Sequence, residues 1–115
     1  MNAKIYHNSR CSKSRATLAI LEQNGVDFDI VNYLIEPPSE SELKAILNDL
    51  GIDARELLRK GELKYKELEL SNKSLNEDDL IKAMLEFPIL IERPIVRTDK
   101  GVVIGRPPEN IQSIL

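Results

Sequence analysis

The sequence predicts an α/β fold in which both ends of the chain contribute strands to one mixed sheet of four strands. Strand-like segments occur only near the two ends, whereas the middle repeats apolar residues at helical spacing. The predicted order is strand, helix, strand, several helices, then strand, strand, helix. At 115 residues, 42% of them hydrophobic and 30% charged, the chain suits one domain, residues 1–115, with a helical insertion over about 39–87.

The N-terminal part reads as a strand–helix–strand unit. Lys4-Ile5-Tyr6 is a short strand, and the residues from Ala16 to Leu21 carry apolar side chains at helical spacing. Asn24-Gly25 is a typical helix end, because glycine adopts the left-handed conformation found there. The alternating pattern of Phe28–Tyr33 predicts a second strand. A crossover of this length makes the two strands parallel.

The middle of the chain reads as helical. Pro37-Pro38 interrupts the preceding strand, and Ser39 with Glu42 fits a capping box for a helix that ends at Gly51. A short helix is predicted over 54–58, followed by a less regular charged piece. Asn76 is a suitable N-cap for a further helix that Pro88 closes.

The C-terminal part returns to strands. Ile95–Thr98 and Val102–Ile104 flank a hairpin turn in which Gly101 takes the position that needs a positive φ. Pro107-Pro108 then opens a last short helix. A hairpin added to a strand–helix–strand unit in one mixed four-stranded sheet is the thioredoxin-like arrangement.

The single cysteine, Cys11, lies between the first predicted strand and the start of the first predicted helix. Unpaired N–H groups and the helix dipole would stabilise a thiolate there and lower the thiol pKa. Residues 1–21 contain four basic and no acidic residues, whereas the other 94 carry a net charge of −7. The alternative is a buried structural cysteine, but charged neighbours such as Arg10 and Lys13 are poorly suited to burial.

Composition also excludes several classes of protein. One cysteine cannot form an internal disulfide, and one cysteine with one histidine cannot complete a zinc site, so we expect no metal and an external second thiol for any redox chemistry. A pI near 5.2 and the lack of a basic stripe argue against nucleic-acid binding. No apolar run could cross a membrane and no secretory signal is evident, which predicts a cytoplasmic protein.

Three arginines lie beside distinctive backbone: Arg59, Arg93 before Pro94, and Arg106 before Pro107. A guanidinium suits a tetrahedral oxyanion, because its fork donates two parallel hydrogen bonds and keeps its charge. Each arginine alone could equally be a solvated surface residue.

Two further residues could assist Cys11. His7, at the end of the first strand, could lower the thiol pKa as a cation or a hydrogen-bond donor, or could merely pack there. The hydroxyl of Ser14 could bind a thiolate or an oxyanion, although serine is common in a first helical turn.

Several separated motifs resemble the arsenate reductase family of the thioredoxin-fold, glutathione- and glutaredoxin-coupled class. They occur in the family's order over nearly the whole chain: His7-Asn8 with Cys11 and Ser14-Arg15, then 57–60, 88–91, 93–96 and 105–107. The resemblance implies that Cys11 attacks arsenate, assisted by His7, and that Arg59, Arg93 and Arg106 hold the oxyanion. It also implies a cis Arg93–Pro94 peptide.

By the same resemblance, glutathione is the co-substrate, no cofactor is tightly bound, and glutaredoxin resolves the mixed disulfide left on the cysteine. Ser12-Lys13 departs from the smaller residues, such as Gly and Thr, of close arsenate reductases. Two alternatives stay open: a glutathione-dependent thiol reductase with another substrate, and a transcription regulator of the same fold that binds RNA polymerase. Such regulators use a Cys-x-x-Cys switch, and here Ser14 occupies the second position.

Overall fold

The computed structural model describes residues 2–115 and contains the predicted mixed sheet. Its strands are β1 (Asn2–His7), β2 (Asp27–Asn32), β3 (Ile95–Thr98) and β4 (Gly101–Ile104), in the spatial order β2-β1-β3-β4. β1 and β2 are parallel, as predicted, while β3 runs antiparallel to both β1 and β4. The α/β fold class and its thioredoxin-like strand arrangement are therefore confirmed.

The chain divides into two compact units, one formed by residues 1–36 and 93–115 and the other by residues 37–92. The first unit holds the sheet and the second the helical insertion, which begins and ends near the predicted 39–87. Their union in one domain stays a prediction.

The hydrophobic core of the first unit lies on the face of the sheet that packs against helix α1 (Ser12–Gln23). Its core joins side chains of β1, α1, β3 and the C-terminal 3-10 helix Pro108–Ile114: Ala3, Ile5, Leu21, Val96, Ile111 and Ile114. Helix α1 ends as predicted, with Asn24 as C-cap and Gly25 at φ +65°. The predicted final helix is present, but in the tighter 3-10 form that short terminal pieces often adopt.

The hairpin between β3 and β4 also follows the prediction. Gly101 has a φ of +149°, which a side chain would disfavour. Thr98 donates its hydroxyl proton to the Ile114 carbonyl oxygen at 2.7 Å, so the turn is tied to the C-terminal 3-10 helix.

The second unit contains helices α2 (Glu40–Leu50), α3 (Ala54–Leu57), α4 (Leu63–Glu67) and α5 (Glu77–Glu86), followed by the 3-10 helix Pro88–Leu90. The predicted N-caps are correct: the Ser39 side chain accepts from Glu42 N–H, and Asn76 forms a capping box with Asp79. The Glu77 carboxylate accepts the Ala54 N–H at 2.9 Å, which fixes the start of α3 against α5. The charged piece after Gly61 contains α4, a five-residue helix too short to show a clear period.

The strand directions explain how one edge of the sheet can collect functional residues. His7 and Asn32 form the last register pair of β1 and β2, so both strands end at this edge. β3 begins at the same edge, because Ile95 pairs with both Tyr6 of β1 and Ile104 at the end of β4. The loops that contain Cys11, Arg93 and Arg106 therefore leave the sheet together.

Candidate active site

Cys11 is the N-cap of α1, and its position is fixed by a tight turn. Its N–H donates to the Asn8 carbonyl oxygen at 2.9 Å, and its own carbonyl oxygen accepts the Arg15 N–H at 3.1 Å. The Asn8 side-chain oxygen accepts the Arg10 N–H at 3.0 Å, which closes an Asx turn. These bonds hold the sulfur at the point where the first N–H groups of the helix are unpaired.

The Cys11 side chain is only 9% exposed, whereas Arg10 and Ser12 on either side are exposed. The expectation that charged neighbours would keep this cysteine unburied is wrong. The turn directs the neighbouring side chains to solvent while the cysteine is covered. Burial nonetheless leaves it a free thiol.

Two opposing effects set the protonation state of Cys11. Burial raises the pKa of the thiol, but hydrogen bonds from the backbone N–H groups of Ser14 and Lys13 and from the Arg93 side chain, together with the charge of Arg106, lower it by more. The net result is a pKa below that of an ordinary cysteine. The predicted thiolate stabilisation by the helix start is therefore present in the structure.

Arg106 contacts both Cys11 and Arg93. Its Nη2 lies 3.4 Å from Cys11 Sγ, and its Nε donates to the Arg93 carbonyl oxygen at 2.7 Å. Arg93 is 6% exposed. Two of the three predicted arginines thus meet the cysteine at one edge of the sheet, which places positive charge beside the sulfur.

Arg59 has a different setting, in the second unit. Its Nε lies 3.2 Å from Glu62 and its Nη1 lies 3.1 Å from Glu92, both measured to Oε1. Its backbone N–H donates to the Leu90 carbonyl oxygen at 2.8 Å. The convergence of Arg59 with the other two arginines stays a prediction.

His7 is buried at the end of β1, with 8% of its surface exposed. Burial lowers the pKa of its imidazole, and the charge of Arg15 lowers it further. Among the described residues, its Nδ1 has no hydrogen-bond partner. The imidazole is therefore neutral near pH 7, which disfavours the cationic role considered from the sequence. A neutral hydrogen-bond donor and a side chain that only packs both stay open.

Ser14 is completely buried, and its hydroxyl oxygen lies 3.4 Å from Asn8 N, from which it accepts a hydrogen bond. The hydroxyl therefore bridges the start of the turn to the first turn of α1, while the backbone N–H of Ser14 faces the cysteine sulfur. Ser12 and Lys13, which depart from the family pattern, both have exposed side chains.

Sequence reasoning missed two contributors to this arrangement. Asn8 anchors the turn through its carbonyl oxygen and side chain, and an asparagine just after a strand was the available signal. The second is Gly105, where a Cβ atom would lie 2.6 Å from Thr17 Oγ1 and 2.8 Å from Pro94 Cγ, so the backbone there has no room for a side chain.

The Arg93–Pro94 peptide is cis, as the resemblance implied, and so is Arg106–Pro107.

Residues 6–114 match the model of the ArsC family. The chain belongs to the ArsC family. A Neisseria meningitidis serogroup A protein named "Arsenate reductase" is 49% identical over 113 residues, which are 97% of each chain. A protein of Escherichia coli strain K12 named "Uncharacterized protein YfgD" is 50% identical over 97% of this chain and 95% of its own.

The fold of this ArsC family member agrees with solved structures. The structure titled "Arsenate reductase from Vibrio cholerae" has a TM-score of 0.96 and 46% sequence identity, and the match covers 100% of this chain and 98% of the other. Within residues 2–115 of the ArsC chain, no cluster of metal-ligating side chains is present. The helices of this described part are all too short or too polar to cross a membrane.

Proposed function

We propose that this ArsC family member reduces arsenate to arsenite, with glutathione as co-substrate and glutaredoxin as the partner that regenerates the enzyme. The observation that carries the proposal is the contact of Arg106 with a cysteine whose thiol pKa is lowered. Relatives named arsenate reductase at nearly half identity support the choice of substrate.

In this proposal the Cys11 thiolate attacks arsenic, a hydroxyl group of the arsenate leaves as water, and a sulfur–arsenic bond forms. Arg93 and Arg106 hold the remaining oxygens, because their guanidinium groups lie beside the sulfur and can each donate two parallel hydrogen bonds to an oxyanion. The family resemblance alone supports the same role for Arg59.

The electrons for the reduction come from two sulfur atoms. Glutathione thiolate supplies the second sulfur: a disulfide forms between Cys11 and glutathione, the sulfur–arsenic bond breaks, and arsenic(V) leaves as arsenic(III). The overall reaction converts arsenate and two thiols into arsenite, one mixed disulfide and one water. Since Cys11 is the only cysteine, an external thiol must then reduce the mixed disulfide, and the family resemblance assigns this step to glutaredoxin.

Two predicted site residues take more limited roles. His7 assists Cys11 as a neutral group, because its lowered pKa disfavours a charged imidazole. Ser14 contributes its backbone N–H to the thiolate, while its hydroxyl maintains the turn. A chain that depends on reduced glutathione would work in the cytoplasm, where thiols are kept reduced.

The test is a coupled assay of arsenite formation with arsenate, glutathione and glutaredoxin, run beside a pull-down with RNA polymerase. We expect turnover by the wild-type protein without capture of the polymerase. Capture without turnover would instead identify a transcription regulator. Cys11→Ser should reduce turnover to the uncatalysed background with an unchanged thermal unfolding midpoint, because it removes the nucleophile. Full activity of this variant would exclude the covalent mechanism.

A further inference from the structure

The turn that carries Cys11 has another opening on its opposite side, away from the arginines. A cavity of about 250 Å³ is lined there by Asn8, Ser9, Arg10, Asn32, Leu34 and Ile35. All six residues belong to the first unit. Nothing in the proposed arsenate-binding role uses this cavity.

The sheet order explains why the two sides of Cys11 differ. β1, which leads to Cys11, lies between β2 on one side and β3 and β4 on the other. Arg93 and Arg106 come from the β3–β4 side. Asn32, Leu34 and Ile35 follow β2, so their loop lies at the same edge but across β1 from the arginines.

We propose that this cavity binds the thiol co-substrate, glutathione, so that oxyanion and reductant approach Cys11 from opposite sides. The inference rests on the proposed function for its choice of ligand. The cavity is lined by the three residues that precede Cys11, and the first of them, Asn8, accepts the Cys11 N–H at 2.9 Å through its carbonyl oxygen, so the cavity adjoins the turn that carries the cysteine. The arginine side is then left to the arsenic and its oxygens.

The chemistry of the cavity fits an anionic tripeptide. Glutathione carries two carboxylates and one ammonium group, and the exposed Arg10 provides a guanidinium for a carboxylate. No acidic residue occurs before Glu22, whereas Glu36 directly follows Ile35 on the opposite wall, so we place a carboxylate of the ligand on the Arg10 side of the cavity. The exposed amide of Asn32 can bind a peptide group.

The remaining wall is apolar and unusually exposed. Ile35 is 77% exposed and Leu34 is 36% exposed, and the apolar surface continues to Ile30, which is 51% exposed. A tight turn fixes the backbone that carries Leu34 and Ile35, since the Asn32 carbonyl oxygen accepts N–H groups of Ile35 at 3.0 Å and Glu36 at 2.8 Å. Such a fixed wall can cover the methylene groups of glutathione without a change in backbone conformation.

Disulfide exchange tests the site without arsenate. With glutathione disulfide, the Cys11 thiolate forms a new disulfide with one glutathione half and releases the other as a thiolate, with no net oxidation. The rate of this step, followed by mass spectrometry, is divided by the rate with bis(2-hydroxyethyl) disulfide, a small neutral probe that needs no charged site. The ratio reports recognition of glutathione and is independent of the intrinsic reactivity of the thiolate.

We expect Arg10→Glu and Ile35→Asp each to lower this ratio by about fivefold or more, through charge repulsion and the loss of apolar contact. The matched controls are Lys73→Glu and Leu63→Asp, which alter an exposed cation and an exposed leucine in the second unit, and they should leave the ratio unchanged. In the arsenate assay, the cavity variants should raise the KM for glutathione and leave that for arsenate unaltered.

If the ratio is unchanged in the cavity variants, even where both rates fall equally, the assignment is overturned. The assignment is also overturned if the cavity variants lower only the rate at which glutaredoxin reduces the mixed disulfide. The cavity would then bind the protein partner instead of glutathione. The two proposals can fail separately. If the wild-type protein shows no arsenate turnover, but the cavity variants still lower the preference for glutathione disulfide, the proposed reaction is refuted and the binding site is retained.

Discussion

Arg106 Nη2 lies 3.4 Å from Cys11 Sγ, although 95 positions separate the two residues in the sequence. The same guanidinium donates through Nε to the Arg93 carbonyl oxygen at 2.7 Å, so its orientation is fixed from a second direction. One side chain therefore stabilises the nucleophile and aligns the backbone of the neighbouring arginine. The cysteine sulfur and the two arginines therefore form one connected arrangement.

The first prediction concerns the thiol of Cys11. Its alkylation by iodoacetamide, measured against pH, should have a midpoint below that of a free cysteine, because hydrogen bonds and arginine charge lower the pKa by more than burial raises it. Arg106→Gln should move the midpoint upward. Arg97→Gln, in β3, is the control and should leave the midpoint in place. A wild-type midpoint at the free-cysteine value would contradict the site.

A second prediction separates a guanidinium from a simple positive charge. Arg93→Lys should raise the KM for arsenate by about tenfold, equivalent to about 1.4 kcal/mol, because an ammonium group cannot donate two parallel hydrogen bonds to an oxyanion. Steady-state kinetics at saturating glutathione and glutaredoxin would measure this. Arg97→Lys, in β3, provides the control. Unchanged kinetics in Arg93→Lys would remove this residue from the oxyanion pocket.

The third prediction uses the fact that His7 is the only histidine in the chain. Its NMR resonances titrate without overlap, and they should give a pKa below the ordinary value of 6.5, because burial and the charge of Arg15 disfavour the imidazolium. Arg15→Gln should raise this pKa, whereas Lys73→Gln should not. A pKa above 6.5 in the wild-type protein would restore the cationic role.

The same shift predicts how stability depends on pH. Since the folded-state pKa of His7 lies below its unfolded value, the unfolded chain takes up the proton first as the pH falls. Its contribution to the free energy of unfolding is complete above pH 6.5 and is lost as the pH falls toward the folded-state pKa. In His7→Gln, the thermal midpoint should lack this part of the pH dependence.

The sequence predicted local features well where one residue type has one physical role. Ser39 and Asn76 are N-caps because their side chains satisfy N–H groups that a helix leaves unpaired, and Gly101 has the positive φ that its turn requires. The position of Cys11 at a helix start followed from the same reasoning. In these cases the interacting groups lie within a few residues of each other.

Features that depend on distant contacts were less accessible. The burial of Cys11 could not be predicted from its charged neighbours. The turn anchored by Asn8 leaves the neighbouring side chains exposed to solvent while Cys11 is buried. The contact of Arg106 with Cys11 needs β3 and β4 to return to the end of β1, which spacing alone does not specify. The family resemblance implies that Arg106 holds an oxyanion, but it does not specify a contact between this arginine and the cysteine sulfur.

The last prediction tests how closely β4 must approach α1 for Arg106 to reach the cysteine. In Gly105→Ala, the new Cβ would lie 2.6 Å from Thr17 Oγ1 and 2.8 Å from Pro94 Cγ, so β4, α1 or the Pro94 loop must shift. We expect a loss of about 1–3 kcal/mol in the free energy of unfolding, which is typical of an overpacked core. Because Gly105 directly precedes Arg106, the shift should also weaken the contact with Cys11 and move the alkylation midpoint upward. Gly61→Ala is the matched control, since no atom lies within 4 Å of its Cβ position. A Gly105→Ala protein with reduced stability but an unaltered alkylation midpoint would show that the position of Arg106 does not depend on this close approach.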